Sequence, residues 1–196
     1  DAVNGDVVVG QAAAELEYQM KKNGASGLSF DTIIASGKNS SMPHAIPSVK
    51  KLERGDFITM DFGCMYEGYC SDMTRTVVLG KADEKQKEIY NIVLAAHDHV
   101  ARIVKPHMMY TEIHKAAYLT LAEGLISVGL IKGTAADAVA SGAMTMFMPH
   151  GLGHGLGMDV HDCEAMGERS FDFSTIAERA AKSATCIYRA AWRIEP

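Results

Sequence analysis

The sequence predicts an α+β domain in which helices pack on a largely antiparallel sheet. Three observations predict it: long stretches with apolar residues every three or four positions, β-rich runs that reverse at a glycine turn, and a glycine-histidine run that no stable helix tolerates. At 196 residues the chain is read as one catalytic-size domain spanning 1–196.

In chain order, Val8, Ala12, Leu16 and Met20 make one apolar face and Asn23-Gly24 a left-handed stop, so residues 6–23 read as a helix. A β-rich run over 30–36 follows, then a loop with two prolines over 37–48 and a turn over 51–56. Residues 57–64 read as a strand, Tyr66-Glu67-Gly68 reverses the chain, and 69–79 returns as its hairpin partner. Ile89, Ile92, Val93, Ala96, Val100 and Ile103 form the face of a helix that Lys105-Pro106 ends. The next helix begins at Thr111, whose hydroxyl is the expected cap, carries Ile113, Ala117, Leu121, Leu125 and Val128, and stops at Gly129. A weaker helix covers 134–143, and the glycine-rich run over 147–161 favours strand and tight turn.

Composition narrows the function. A net charge of −5 with scattered Lys and Arg provides no basic stripe, which speaks against nucleic acid and anionic membranes as partners. No apolar run approaches the ~20 residues of a membrane helix, and the N-terminus has no signal pattern. The four cysteines, Cys64, Cys70, Cys163 and Cys186, form no C-x-x-C pair and read as reduced thiols of a cytoplasmic protein.

Two constellations carry chemistry. With the reversal near Tyr66-Glu67, Asp61 and Asp72 are expected almost opposite one another, where facing side chains stand ~5 Å apart and like charges repel. A cation shared between them relieves that repulsion; otherwise one carboxyl has to hold a proton. Thr59, Thr74 and Thr76 share the face and could orient the carboxylates. An exposed surface pair is the plainer reading, but Phe57, Ile58, Met60, Val77, Val78 and Leu79 resemble a sheet buried on both faces. The second constellation is Pro149-His150-Gly151-Leu152-Gly153-His154-Gly155-Leu156-Gly157 with Val160-His161-Asp162. A single imidazole is usually a hydrogen-bonded core residue, yet three within twelve residues among glycines are hard to explain by packing. Imidazole plus carboxylate suits Mn, Co, Fe or Zn better than Mg or Ca.

These residues resemble the pita-bread metallopeptidases, and the form Pro-His-Gly-Leu-Gly-His followed by Val-His-Asp resembles the proline-specific branch of aminopeptidase P and prolidase. The resemblance implies a curved sheet and two divalent metal ions, manganese first, with cobalt, zinc and iron as alternatives. It casts Asp61, Asp72 and His154 as metal ligands, and His44, His150 and His161 as active-site histidines that bind the peptide and stabilise the tetrahedral intermediate. The implied reaction is hydrolysis of the bond between an N-terminal residue and a proline at the second position, in a protein that forms a homodimer.

The family's two later glutamate ligands are not evident. Glu195-Pro196 resembles either the start of a Glu-Pro-Gly segment or the turn before the glutamate strand, and Asp1 is no initiator Met. The expectation is therefore a fragment lacking an N-terminal domain and the last strands, with impaired activity, and with an acid-base insertion over 164–190. Two rivals remain: a metal-free pita-bread binding scaffold, and a creatinase-like hydrolase that uses histidines alone. Both should lack the aspartate pair that is present here.

Overall fold

The computed structural model describes residues 7–105 and 107–162, so Cys163, Cys186, the 164–190 stretch and Glu195 lie outside the described residues. The chain divides into two compact units, one holding residues up to 83 together with 155–162, the other residues 84–154.

In the first unit, α1 (Val9–Lys22) buries Val9 and Ala13 against Ile34, Leu52 and Ile58, with Leu16 packed at the margin. Its N-terminus has no hydroxyl cap; the Val8 N–H donates to Gln11 Oε1 at 3.0 Å instead. Its end follows the expected stop, with Gly24 at φ 101° and Lys21 and Lys22 set against the negative end of the helix dipole.

Six strands follow the reading of a hairpin but are broken in two places. Strands β1 (Gly27–Leu28), β4 (Cys64–Tyr66) and β5 (Tyr69–Cys70) form one antiparallel sheet. Strands β2 (Ile33–Ser36), β3 (Phe57–Phe62) and β6 (Met73–Val78) form the other, in the order β2-β3-β6. The single strand expected over 30–36 thus starts three residues late, and the expected strands over 57–64 and 69–79 each split. Gly63 marks the break: a Cβ there would collide with the Ser71 carbonyl oxygen, so only glycine lets the two arms cross so closely.

The hairpin register corrects an expectation. Met60 pairs with Arg75, Asp61 with Thr74 and Tyr66 with Tyr69, which puts the reversal at Glu67-Gly68. Both turn residues have positive φ, 51° and 83°, as a two-residue turn of the primed type requires. Moving the turn by one residue moves each cross-strand partner by two. Asp72 therefore faces the Gly63 position instead of Asp61, and the carboxylates are diagonal neighbours on one face. Nor is the sheet buried on both sides: Ile34 and Ile58 turn to α1, while the opposite face, with Ile33 and Asp61, lines a cavity.

The second unit is helical. Helices α2 (Glu84–Ile103), α3 (Tyr110–Ser127) and α4 (Ala135–Ala140) enclose Ala96, Leu121, Ala122, Leu125, Ala138 and Met144. Helix α3 begins before Thr111, with Met109 at the cap position and no side-chain cap bond, so the expected hydroxyl cap is absent. The cap that does form is at α4, where Thr134 Oγ1 accepts the Asp137 N–H at 3.1 Å. Contrary to expectation, the 147–161 run forms no strand; it is irregular chain that bends at His150, at Leu152 and over 157–161. Among the described residues no helix is long and apolar enough to cross a membrane.

Candidate active site

A cavity of about 550 Å³ opens on the polar face of the β2-β3-β6 sheet, and Asp61, Asp72, His44 and His161 all line it. Four sequence-predicted site residues from three separate stretches of chain therefore meet in one place within the first unit. Asp61 stands on the central strand, and its Oδ1 accepts the Thr74 hydroxyl at 2.9 Å. Thr59 and Thr76, one pleat further along, bond to each other at 3.3 Å instead. Of the three threonines expected to orient the carboxylates, Thr74 does so for Asp61.

His44 arrives on the long β2–β3 connection. The connection leaves the sheet at Ser36, makes a 3₁₀ turn over Gly37–Ser41, and is fastened at its base by an ion pair. Lys50 Nζ lies 2.6 Å from Asp56 Oδ2, and the Ser36 hydroxyl donates to the same oxygen at 2.7 Å. Lys50 beside it, then Ser36, hold the Asp56 carboxyl below the usual carboxylate range, and Asp56 in turn holds the Lys50 ammonium above its own.

His161 is set by a compact turn. The Asp162 N–H donates to the Gly155 carbonyl at 3.0 Å, and a Cβ on Gly155 or Gly157 would strike Asp162. What comes close to these two glycines is Asp162 of the same segment. Cys70, near the hairpin tip, secures the turn by donating its N–H to Gly157 O at 2.7 Å and its thiol to Met158 O at 3.3 Å.

The cavity wall also includes residues that the sequence reading passed over. Phe30, Asp31 and Thr32 sit in the bend between β1 and β2, where a continuous strand was expected. Thr32 is only 3% exposed and its hydroxyl has no hydrogen-bond partner among the described residues. Leaving such a group unsatisfied costs about 1–3 kcal/mol, a cost that a water or bound group in the cavity would remove.

His150 and His154 belong to the second unit. There His150 Nδ1 lies 2.8 Å from the Gly151 carbonyl, and Tyr110 on α3 bonds to the Gly153 backbone beside His154. His114 on α3 has its pKa lowered, first by burial and then by His150 nearby. Among the described residues no group of three or more His, Cys, Asp or Glu is gathered closely enough to hold a metal ion. The donor chemistry of the cavity nonetheless suits a cation: two half-buried carboxylates on one face, one oriented by a hydroxyl.

Comparison with known proteins decides the family. The model of metallopeptidase family M24 matches residues 6–185. The chain belongs to metallopeptidase family M24. Within M24 it is 41% identical over 152 residues to a Xaa-Pro dipeptidase of Pyrococcus horikoshii, covering 78% of this chain and 38% of that protein. It is 35% identical over 155 residues to the Xaa-Pro aminopeptidase of Escherichia coli, covering 79% and 35%. Among solved structures, Escherichia coli aminopeptidase P with the inhibitor Pro-Leu superposes with a TM-score of 0.80 at 32% identity, over 88% of this chain and 39% of that one. The pita-bread fold of M24 is matched by antiparallel strands and helices in this chain, which spans under two-fifths of the length of these curated relatives.

Proposed function

We propose that this M24 chain carries the catalytic machinery of a dinuclear metal-dependent exopeptidase that cleaves the bond between an N-terminal residue and proline. The observation that carries the reading is the meeting of Asp61, Asp72, His44 and His161 in one cavity of the first unit. Xaa-Pro specificity rests on the relatives named Xaa-Pro dipeptidase and Xaa-Pro aminopeptidase, and on the proline-branch form of the glycine-histidine run.

In this reading Asp61 and Asp72 hold the metal ions, with His154 as a further ligand. When bound, divalent ions supply a water of lowered pKa and polarise the scissile carbonyl. Thr74 donates its hydroxyl to Asp61 Oδ1 and so orients that carboxylate at the cavity wall. His44 and His161 stand on separate loops of the cavity, where they can donate hydrogen bonds to the peptide and to the oxygen that gains charge. Phe30 and Val160 supply apolar wall that keeps water from the reacting bond. His150 takes the same peptide-orienting role. Manganese is the metal proposed, the working form a homodimer, and the compartment the cytoplasm.

The decisive experiment measures hydrolysis of Xaa-Pro and Xaa-Ala peptides with and without Mn²⁺. The expected result is metal-dependent turnover of the Xaa-Pro peptide only. Asp61→Asn and Asp72→Asn should each lower kcat/KM by more than the roughly 100-fold that loss of an outer-shell partner costs. Metal-independent turnover would favour the creatinase-like rival, and no turnover with no metal uptake the scaffold.

A further inference from the structure

Tyr110, His114 and Tyr118 recur every four residues and therefore share one face of α3. The His114 ring meets Tyr118 edge-on at 4.3 Å and lies 6.2 Å from Tyr110, so the three rings form a continuous stripe. Both phenols at the ends of the stripe reach the glycine-histidine run. Tyr118 Oη donates to the Met148 carbonyl at 3.0 Å, two residues before His150. Tyr110 Oη accepts the Gly153 N–H at 2.6 Å and donates to the Gly153 carbonyl at 2.8 Å, one residue before His154.

The Tyr110 bond pair is unusual in kind. In an antiparallel sheet a hydrogen-bonded residue exchanges both its N–H and its C=O with one partner residue. Here a single hydroxyl, able to donate and accept at once, takes the place of that partner. A backbone with no strand beside it still needs both groups satisfied, and the phenol satisfies them.

We infer that Tyr110 is a positioning residue that fixes the backbone at Gly153 and so sets where the His154 and His150 imidazoles point. The inference rests on the metallopeptidase reading for what those imidazoles do, but not for how they are held. His154 stands between Gly153 and Gly155 and His150 precedes Gly151; glycine has the greatest backbone freedom of any residue, and an enzyme that needs an imidazole at a fixed place has to remove that freedom. Tyr110 does so from a rigid helix, with Tyr118 holding the other end of the segment.

The test is Tyr110→Phe, which keeps the ring and removes both bonds. In intact, metal-free protein, amide hydrogen exchange at Gly153 should quicken by at least about tenfold, while the amides of Leu121, Ala122 and Leu125 in the α3 core keep their rates. Co²⁺ affinity should fall by about 10-fold or more, in the direction of His154→Ala, because the ligand is no longer held in place. Unchanged Gly153 exchange would overturn the inference. So would faster exchange with undiminished Co²⁺ affinity in a protein where His154→Ala does weaken it. If His154→Ala binds Co²⁺ like the wild type, the assignment of His154 as a ligand fails, and the Gly153 exchange rate alone decides whether Tyr110 holds the segment.

Discussion

Asp56 shows how a residue outside the cavity shapes it. Its carboxylate gathers Lys50 and Ser36, the two feet of the connection that carries His44, and the side chains are only 21% and 28% exposed for Asp56 and Lys50, so solvent screens the pair incompletely. Because the folded Asp56 pKa is depressed, its contribution is present above the ordinary carboxylate range and is lost as pH falls through the depressed value. The Lys50 contribution has the opposite sign: its raised pKa keeps the stabilisation at neutral pH and loses it only when strong alkali titrates the ammonium. Asp56→Asn should therefore cost about 1–2 kcal/mol in denaturant unfolding at neutral pH. The gap between variant and wild type should close in acid; a gap that persists there would remove the ion pair as its cause.

Among the elements, the α2–α3 pair depends on a glycine inside a helix. Gly124 lies in the last quarter of α3, where alanine would ordinarily stabilise by about 1 kcal/mol. Yet a Cβ there would run into the Ile92 side chain of α2. Gly124→Ala should consequently lower the melting temperature despite its better propensity, by the roughly 1–3 kcal/mol typical of overpacking. Ile92→Ala should partly relieve the cost in a double-mutant cycle, and additive effects would show that the contact is not the reason. The hairpin offers the converse lesson. The turn was legible from Glu67-Gly68, but its centre was not, because residues 66–69 permit two placements and the twist of the strands selects the one with both φ values positive. One residue of turn placement decided whether the aspartates face each other or stand diagonally.

For the whole molecule, a bound cation should be visible as stability. Any ligand that binds the folded form alone raises its stability by RT ln(1 + [L]/Kd), about 2.7 kcal/mol at a concentration of 100 Kd. Chelator-stripped protein should gain melting temperature on adding Mn²⁺, and Asp61→Asn with Asp72→Asn together should abolish the gain. An equal gain in that double variant would place the metal elsewhere.

The order of helices, the hairpin, the aspartate pair and the histidine run were all readable in the chain, since periodicity, glycine punctuation and residue chemistry are local properties. That reading extended to four residues, His44, Asp61, Asp72 and His161, which share a cavity although up to 117 positions separate them. What the sequence could not supply was the partner of each group. Thr74 in place of Asp72 opposite Asp61, Asp162 folded over Gly155 and Gly157, and a phenol standing in for a strand beside Gly153 are all pairings between distant segments. Local pattern says which residues are fit to act; only the folded chain, by satisfying every backbone and side-chain bond at once, chooses what each of them faces.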